Sequence, residues 1–312
     1  MRYLVTGGAG FLGSALVRSL AGSGHRVVVL DDFSSGKYER LNDVDRQVRW
    51  GDVRRPDDVS KAAEGAESVL HLAYIQGTKN FYEKPSEILS VALEGMQAVL
   101  RACRVNGIRE LVLVSSAEAH QSAELPTPES TPLMVPDVLN PRFSYGGGKI
   151  ACELMAAAAF HDGLLDRVII IRPHNVIGPD MCPDHVIPDL CERLAHLGDD
   201  EPLVIQGSGA ETRCYSYITD AVDQIRLIMD HAGPLGAYHI GSQDERSTLD
   251  VAREVARCYG KEKVKIISSP LAKGSPLRRQ PGLDFLDGLG YKPKVSFEET
   301  IYRTVEWYRS RA

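Results

Sequence analysis

Up to about residue 175, short and nearly continuous apolar runs alternate with longer stretches whose apolar positions recur every three to four residues. The runs at 2–6, 26–30, 68–72, 111–115 and 168–172 read as strands, and the stretches 11–21, 56–63, 86–106 and 145–160 as helices. Strands apolar on both faces, alternating with helices, predict a parallel sheet covered by helices on both sides. Five prolines, at 126, 128, 132, 136 and 141, make 124–142 a loop. Beyond Gly178 the pattern loosens: Pro179, Pro183 and Pro188 interrupt it, a helix is expected at 188–197, and 203–206 looks like a short strand. A strand at 235–240 is expected to rejoin the large sheet, and a helix at 296–310 to close the chain. The expected organisation is one large domain, 1–175 with 214–242, and a smaller α/β lobe, 176–213 with 243–312.

Composition narrows the class. The 312 residues are 43% hydrophobic and 25% charged, which fits a soluble globular protein and excludes collagen-like, disordered and coiled-coil chains. A net charge of −6, from 36 basic and 42 acidic residues, argues against a broad nucleic-acid-binding surface. No apolar run approaches the ~18 residues of a membrane span, and the first strand starts at once where a signal peptide would stand. Cys103, Cys152, Cys182, Cys191, Cys214 and Cys258 are scattered, without metal-ligand spacing. They are expected as reduced thiols of a cytoplasmic protein, with no metal site.

Thr6, Gly7, Gly8, Ala9, Gly10, Phe11, Leu12 and Gly13 join the first strand to the first helix. Gly7 permits a tight turn, Gly10 lets backbone approach a pyrophosphate, and Gly13 allows close helix–strand packing. Asp31 stands eighteen residues beyond Gly13, at the end of the second strand, followed by Asp32. An acid there accepts bonds from the adenosine ribose and repels a 2′-phosphate, favouring NAD over NADP. Asp52 and Val53 lie in a turn where they would either contact adenine or serve the turn alone.

Tyr145 and Lys149 are four apart at the start of a helix and share a face. A lysine ammonium one turn away favours the phenolate and makes tyrosine a usable base. By itself this spacing is common; Ser115 and Ser116, at the carboxyl end of a parallel strand facing the ligand crevice, give it weight. Together these residues resemble the extended short-chain dehydrogenase/reductase family, in its nucleotide-sugar epimerase/dehydratase branch. The resemblance also takes in His71, Leu72 and Ala73; Arg172, Pro173, His174, Asn175, Val176, Gly178 and Pro179; Gly207, Gly209, Thr212 and Arg213; Tyr217, Ile218 and Asp220; Arg278 and Arg279; and Gly290 to Pro293.

The resemblance implies a Rossmann-type doubly wound sheet and a second lobe that holds a nucleoside-diphosphate sugar, with NAD tightly bound. Leu72, Ala73 and Pro173 would line the cofactor. Asn175 and Arg213 would bind the diphosphate, with Arg279 a third candidate and Val186 and His174 near the substrate. His174 is alternatively a histidine bonded to backbone at a strand end. A homodimer, formed through the helices at 86–106 and 145–160, is also implied, with no membrane or nucleic-acid partner.

The implied chemistry starts when Tyr145 takes the proton of the sugar C4 hydroxyl, positioned by Ser116, as NAD takes hydride. Return of hydride to the other face gives 4-epimerisation, the leading outcome. Glu118, acting as a second base at C5, gives dehydration, and a C6 carboxylate β to the ketone leaves as carbon dioxide. Ala117 cannot protonate a leaving hydroxyl, which argues against one dehydratase subclass. His120 replaces a tyrosine usual in the family. Gly146, Gly147 and Gly148 weaken the helix start by up to ~1 kcal/mol each, and small residues there are expected to admit a bulky substrate. Ala92 replaces a family asparagine, which leaves a non-catalytic NAD-binding regulator as the rival reading; intact Ser116, Tyr145 and Lys149 oppose it.

Overall fold

A computed structural model describes the chain except residues 121–123, 184, 199, 272, 273 and 312. In chain order the elements of its first part are β1 (Arg2–Thr6), α1 (Phe11–Gly22), β2 (Arg26–Asp31), β3 (Gln47–Trp50), α2 (Pro56–Ala62), β4 (Ser68–His71), α3 (Thr78–Glu83), α4 (Pro85–Asn106), β5 (Glu110–Val114), α5 (Phe143–His161) and β6 (Arg167–Pro173). There follow β7 (Val176–Ile177), α6 (Val186–His196), β8 (Leu203–Gln206), β9 (Thr212–Cys214), β10 (Ser216–Tyr217), α7 (Ile218–His231), β11 (Leu235–Ile240), β12 (Glu245–Ser247), α8 (Thr248–Cys258), β13 (Ile266–Ser269), α9 (Asp284–Gly288) and α10 (Phe297–Arg309).

Seven strands form one sheet in the order β11-β6-β5-β4-β1-β2-β3. The chain departs from β1 to β2 on one side and returns with β4 on the other, so β1 and β4 flank the point where strand order reverses. In such sheets ligands bind outside the carboxyl ends of the strands at this switch. One large cluster builds the core between the sheet and α2, α4 and α5, including Leu4, Val28, Val69, Val99, Leu111 and Ile170. The chain is an α/β protein with a Rossmann-type sheet, as its apolar strand runs imply. The short strand β3 escapes that reading because its residues, Gln47 to Trp50, are half-buried or exposed and carry no apolar run.

Two compact units emerge, 1–121 with 132–173 and 222–239, and 122–131 with 174–221 and 240–312. Relative to the division expected from sequence, 122–131, 174–175, 214–221 and 240–242 fall in the second unit. Local pairing explains this: Thr127 accepts from Gly282 N–H at 2.7 Å, β9 pairs with β12, and β10 pairs with β7. The second unit also pairs β13 with β8 in parallel. Among the described residues no helix is long and apolar enough to cross a membrane.

A buried polar chain ties α5 to the sheet within the first unit. Arg172 on β6 grips Glu153 on α5 through Nε (3.1 Å to Oε1) and Nη2 (2.7 Å to Oε2), and Ser115 Oγ donates to the same carboxylate. His120 Nε2 lies 3.3 Å from Arg172 Nη1 and 2.9 Å from His239 Nε2. Since arginine only donates, its bond to His120 requires the acceptor form of that nitrogen. Glu153→Gln would leave Arg172 buried without its counter-charge. The expected loss is about 3–5 kcal/mol, read as a shift of the urea midpoint at pH 7; a loss below about 1 kcal/mol would show that the pair does not hold α5 in place.

Candidate functional site

The phosphate-loop sequence forms the turn expected of it. Gly7 has φ +69°, and a Cβ there would lie 2.7 Å from Ala73 N. At Gly13 a Cβ would stand 2.2 Å from Gly7 O, so α1 packs this close to the turn only with glycine. The N-cap of α1 is Gly10, no side chain caps the helix, and its first turn, which includes Phe11 and Leu12, holds no acidic residue. That end therefore presents N–H groups and a positive dipole end, suited to a pyrophosphate.

Thr6 Oγ1 accepts from Leu72 and Ala73 N–H at 3.3 Å and pairs with His71 Nδ1 at 2.7 Å, locking the end of β4 to that of β1. Burial pulls the His71 imidazole down to about 3, so it is neutral there. Asp31 is buried, its carboxylate accepting from Ala9 and Phe33 N–H at 2.9 Å. Burial raises its pKa against those two bonds; each oxygen keeps a lone pair for ribose hydroxyls. Gly7, Gly10, Gly13 and Asp31 thus fit an adenine dinucleotide.

Asp32 accepts from Ser34 N and Oγ, and Asp52 binds the Arg54 guanidinium at 2.6 Å, which lowers the acid's pKa. Both carboxylates have local partners. Val53 is buried and packs against α4, where a Cβ on Gly95 would meet Val53 Cγ1 at 3.0 Å.

The residues expected to handle protons gather where β5 ends and α5 begins. Ser116 caps a 3-10 turn over Ala117–Ala119, its Oγ accepting from Glu118 N–H at 3.1 Å. That bond leaves its O–H for a ligand. Tyr145 is 5% exposed, with its ring stacked on Phe81 at 4.6 Å and edge-on to Tyr74 at 5.1 Å. Lys149 is fully enclosed: Nζ donates to Val114 O at 2.8 Å and lies 3.7 Å from the Tyr74 ring centroid and 5.8 Å from that of Tyr145. Burial pulls its pKa down to about 8.

Two of the three glycines between these residues, Gly146 and Gly148, give their space to neighbouring elements and not to a substrate. A Cβ on Gly146 would meet the Glu118 carbonyl at 2.7 Å, and one on Gly148 the Tyr74 hydroxyl at 2.3 Å and Ala92 Cβ at 3.1 Å. They let α5 press against the turn after β5 and against α4. Ala92, the residue that replaces a family asparagine, is wholly buried at this seam, its carbonyl accepting from Cys152 Sγ at 3.3 Å.

In the second unit, Asn175 Nδ2 donates to Cys214 O at 3.3 Å, next to Arg213. The Arg213 guanidinium bonds the carbonyls of Thr212 (2.7 Å) and Pro276 (2.8 Å), tying β9 to the segment that carries Arg279. Arg279 is 9% exposed, while Arg278 pairs with Glu245 at 2.7 Å. His174 is buried, its backbone N–H donating to Ile240 O at 2.8 Å. Val186 opens α6 with 38% exposure, and Pro173 ends β6.

Sequence reasoning passed over Tyr74, Phe81 and Arg142. Tyr74 directly follows the His71–Ala73 stretch, a signal that was available. Arg142 stands three residues before Tyr145, but its significance comes from the ion pair its Nη2 makes with Glu118 Oε2 at 3.6 Å.

The NAD dependent epimerase/dehydratase family profile matches residues 3–241. A UDP-N-acetyl-alpha-D-glucosaminuronate decarboxylase of Bacillus cytotoxicus is 30% identical over 99% of this chain and 98% of its own. A UDP-glucose 4-epimerase of Mycolicibacterium smegmatis is 30% identical, with 100% of each chain covered. Among solved structures, a dTDP-glucose 4,6-dehydratase of Streptomyces venezuelae with NAD bound superposes with a TM-score of 0.89, at 28% identity, over 99% of this chain and 97% of that one.

Lys149 supplies the test of this geometry. With a folded pKa near 8 against 10.5, its burial destabilises the fold by roughly 3 kcal/mol below pH 8, a cost relieved as pH rises through 8 towards 10.5. Lys149→Met should therefore melt no lower than the parent at pH 7 and lose this pH dependence between 8 and 10. A variant that melts several degrees lower would assign Lys149 to the scaffold.

Proposed function

The chain belongs to the NAD dependent epimerase/dehydratase family, and on that premise we propose that it performs a redox-neutral change on a nucleoside-diphosphate sugar through a 4-keto sugar, with 4-epimerisation as the outcome. The observation that carries this reading is Tyr145 and Lys149 buried together on α5 beside the turn that holds Ser116. NAD, when bound, supplies a reversible hydride acceptor. Gly7, Gly10, Phe11, Leu12 and Gly13 would hold its pyrophosphate, Asp31 its ribose, and Leu72, Ala73 and Pro173 its far half.

Tyr145 is the base that takes the C4 hydroxyl proton and later returns one. Lys149 stabilises its phenolate electrostatically, a buried ammonium being worth far more there than in water. The Ser116 O–H orients the same hydroxyl oxygen. We assign Asn175, Arg213 and Arg279 to the diphosphate, and the ion pair with Arg142 supports a binding and orienting role for Glu118. A second reading, loss of water or carbon dioxide with Glu118 as base at C5, is favoured by its position two residues from Ser116 and its 23% side-chain exposure. The regulator reading is set aside, because each proton-handling group is retained and enclosed.

We also infer a homodimer through α4 and α5. Leu89, Leu93 and Leu154 on these helices are 37%, 37% and 67% exposed, an apolar set that a second copy would cover. Sedimentation should give twice the chain mass, and a monomer at working concentration overturns the dimer.

Tyr145→Phe should lower turnover by roughly 10³-fold while leaving the melting temperature within a few degrees. Retained turnover would remove Tyr145 as the base. Proton NMR in D₂O, with UDP-, dTDP- and GDP-hexoses and hexuronates, separates the two outcomes. Inversion at C4 without deuterium uptake is expected for 4-epimerisation; deuterium at C5 with loss of water or carbon dioxide makes Glu118 the second base.

A further inference from the structure

Arg142 is 6% exposed, and an arginine so buried normally spends all its donors on acceptors. This one does not: Nε and Nη1 are buried without a hydrogen-bond partner. Its one ion pair among the described residues, with Glu118, is 3.6 Å long, beyond good hydrogen-bond distance. The residue is also badly placed for its own helix. It is the N-cap of α5, where it makes no side-chain cap and where the first turn contains no acid, so a cation faces the positive end of the helix dipole. Burial, unspent donors and dipole all disfavour the charge, and one distant carboxylate does not offset them. The deficit is one of negative charge.

The surroundings give that deficit a meaning. Arg142 precedes Tyr145 by three residues, a spacing that puts both over the first turn of α5. Its partner Glu118 donates its backbone N–H to Ser116. Building on the function proposed above, with Tyr145 and Ser116 at C4 and Glu118 towards C5, the next substituent along the ring is C6. The diphosphate is assigned to arginines of the other unit, which leaves Arg142 to a different anion. We propose that Arg142 is a specificity-determining residue that receives the C6 carboxylate of a nucleoside-diphosphate hexuronate. A fixed guanidinium still short of acceptors at Nε and Nη1 suits an anion and is poorly satisfied by the C6 hydroxyl of a neutral hexose.

The test is calorimetric titration of NAD-loaded protein with glucuronate and glucose as their UDP and dTDP derivatives, in the parent, Arg142→Gln and Arg142→Lys. The parent should bind the uronate more tightly than the matching hexose. The uronate-to-hexose affinity ratio should fall about 10- to 100-fold in Arg142→Gln, and less in Arg142→Lys, which keeps the charge without the fork. A melting curve and NAD binding establish that each variant is folded. If Arg142→Gln does not fold, Arg142→Lys decides through the same ratio. A ratio unchanged by substitution, or a parent that prefers the neutral hexose, overturns the carboxylate assignment alone. Binding of neither sugar nucleotide by a protein that binds NAD overturns both this assignment and the function on which it rests.

Discussion

A backbone carbonyl stands where a side chain would have to be. The Glu118 oxygen comes within 2.7 Å of the position a Cβ on Gly146 would take, and the candidate site follows from that approach. It brings the first turn of α5 against the turn after β5, so that Lys149 reaches Val114 O and Tyr145 lies beside Phe81 and Tyr74. Gly148 repeats the device two residues on, giving its Cβ volume to the Tyr74 hydroxyl. Glycine at a helix start costs backbone entropy. Here that cost is offset by the packing of three elements at the end of one strand.

How much of this was legible depends on whether a residue's meaning is local. The strands β1, β2, β4, β5 and β6 announce themselves because both faces are buried and the residues are apolar throughout. The helix α8 was overlooked despite two local signatures: Ser247 accepts from Asp250 N–H while Asp250 reaches back to Ser247, and Val251, Ala252, Val255 and Ala256 recur at helical spacing. In the site, Tyr145, Lys149 and Ser116 are readable from spacing along one helix and one strand end. Gly146 and Gly148 were misread because sequence shows an absent side chain but not what fills its place. Arg142 lies at the end of a proline-rich loop and means little until burial beside Glu118, twenty-four residues earlier, is seen.

Three buried cations around the end of β5 differ in how their charge is met. Arg172 has a bidentate carboxylate, a serine sharing that carboxylate, and two histidines beyond it. Lys149 has one carbonyl and the face of a tyrosine ring. Arg142 has one long ion pair and two donors without partners. The three are comparably hidden from water, so solvent does not account for the difference.

Removing a charge from water is costly unless the protein replaces the lost solvation. Where the replacement is complete, as at Arg172, the fold accounts for the residue and its role is to join α5 to β6. Where it is incomplete, the chain tolerates a deficit that folding alone gives no reason to keep. Lys149 and Arg142 carry such deficits, and both flank Tyr145, one turn to either side of it along α5. A developing phenolate would be stabilised by the first and a substrate anion by the second, each with little reorganisation because the cation is already fixed. The degree of charge compensation, more than burial or residue type, thus separates Arg172, which the fold accounts for, from Lys149 and Arg142, the two cations proposed to meet a ligand.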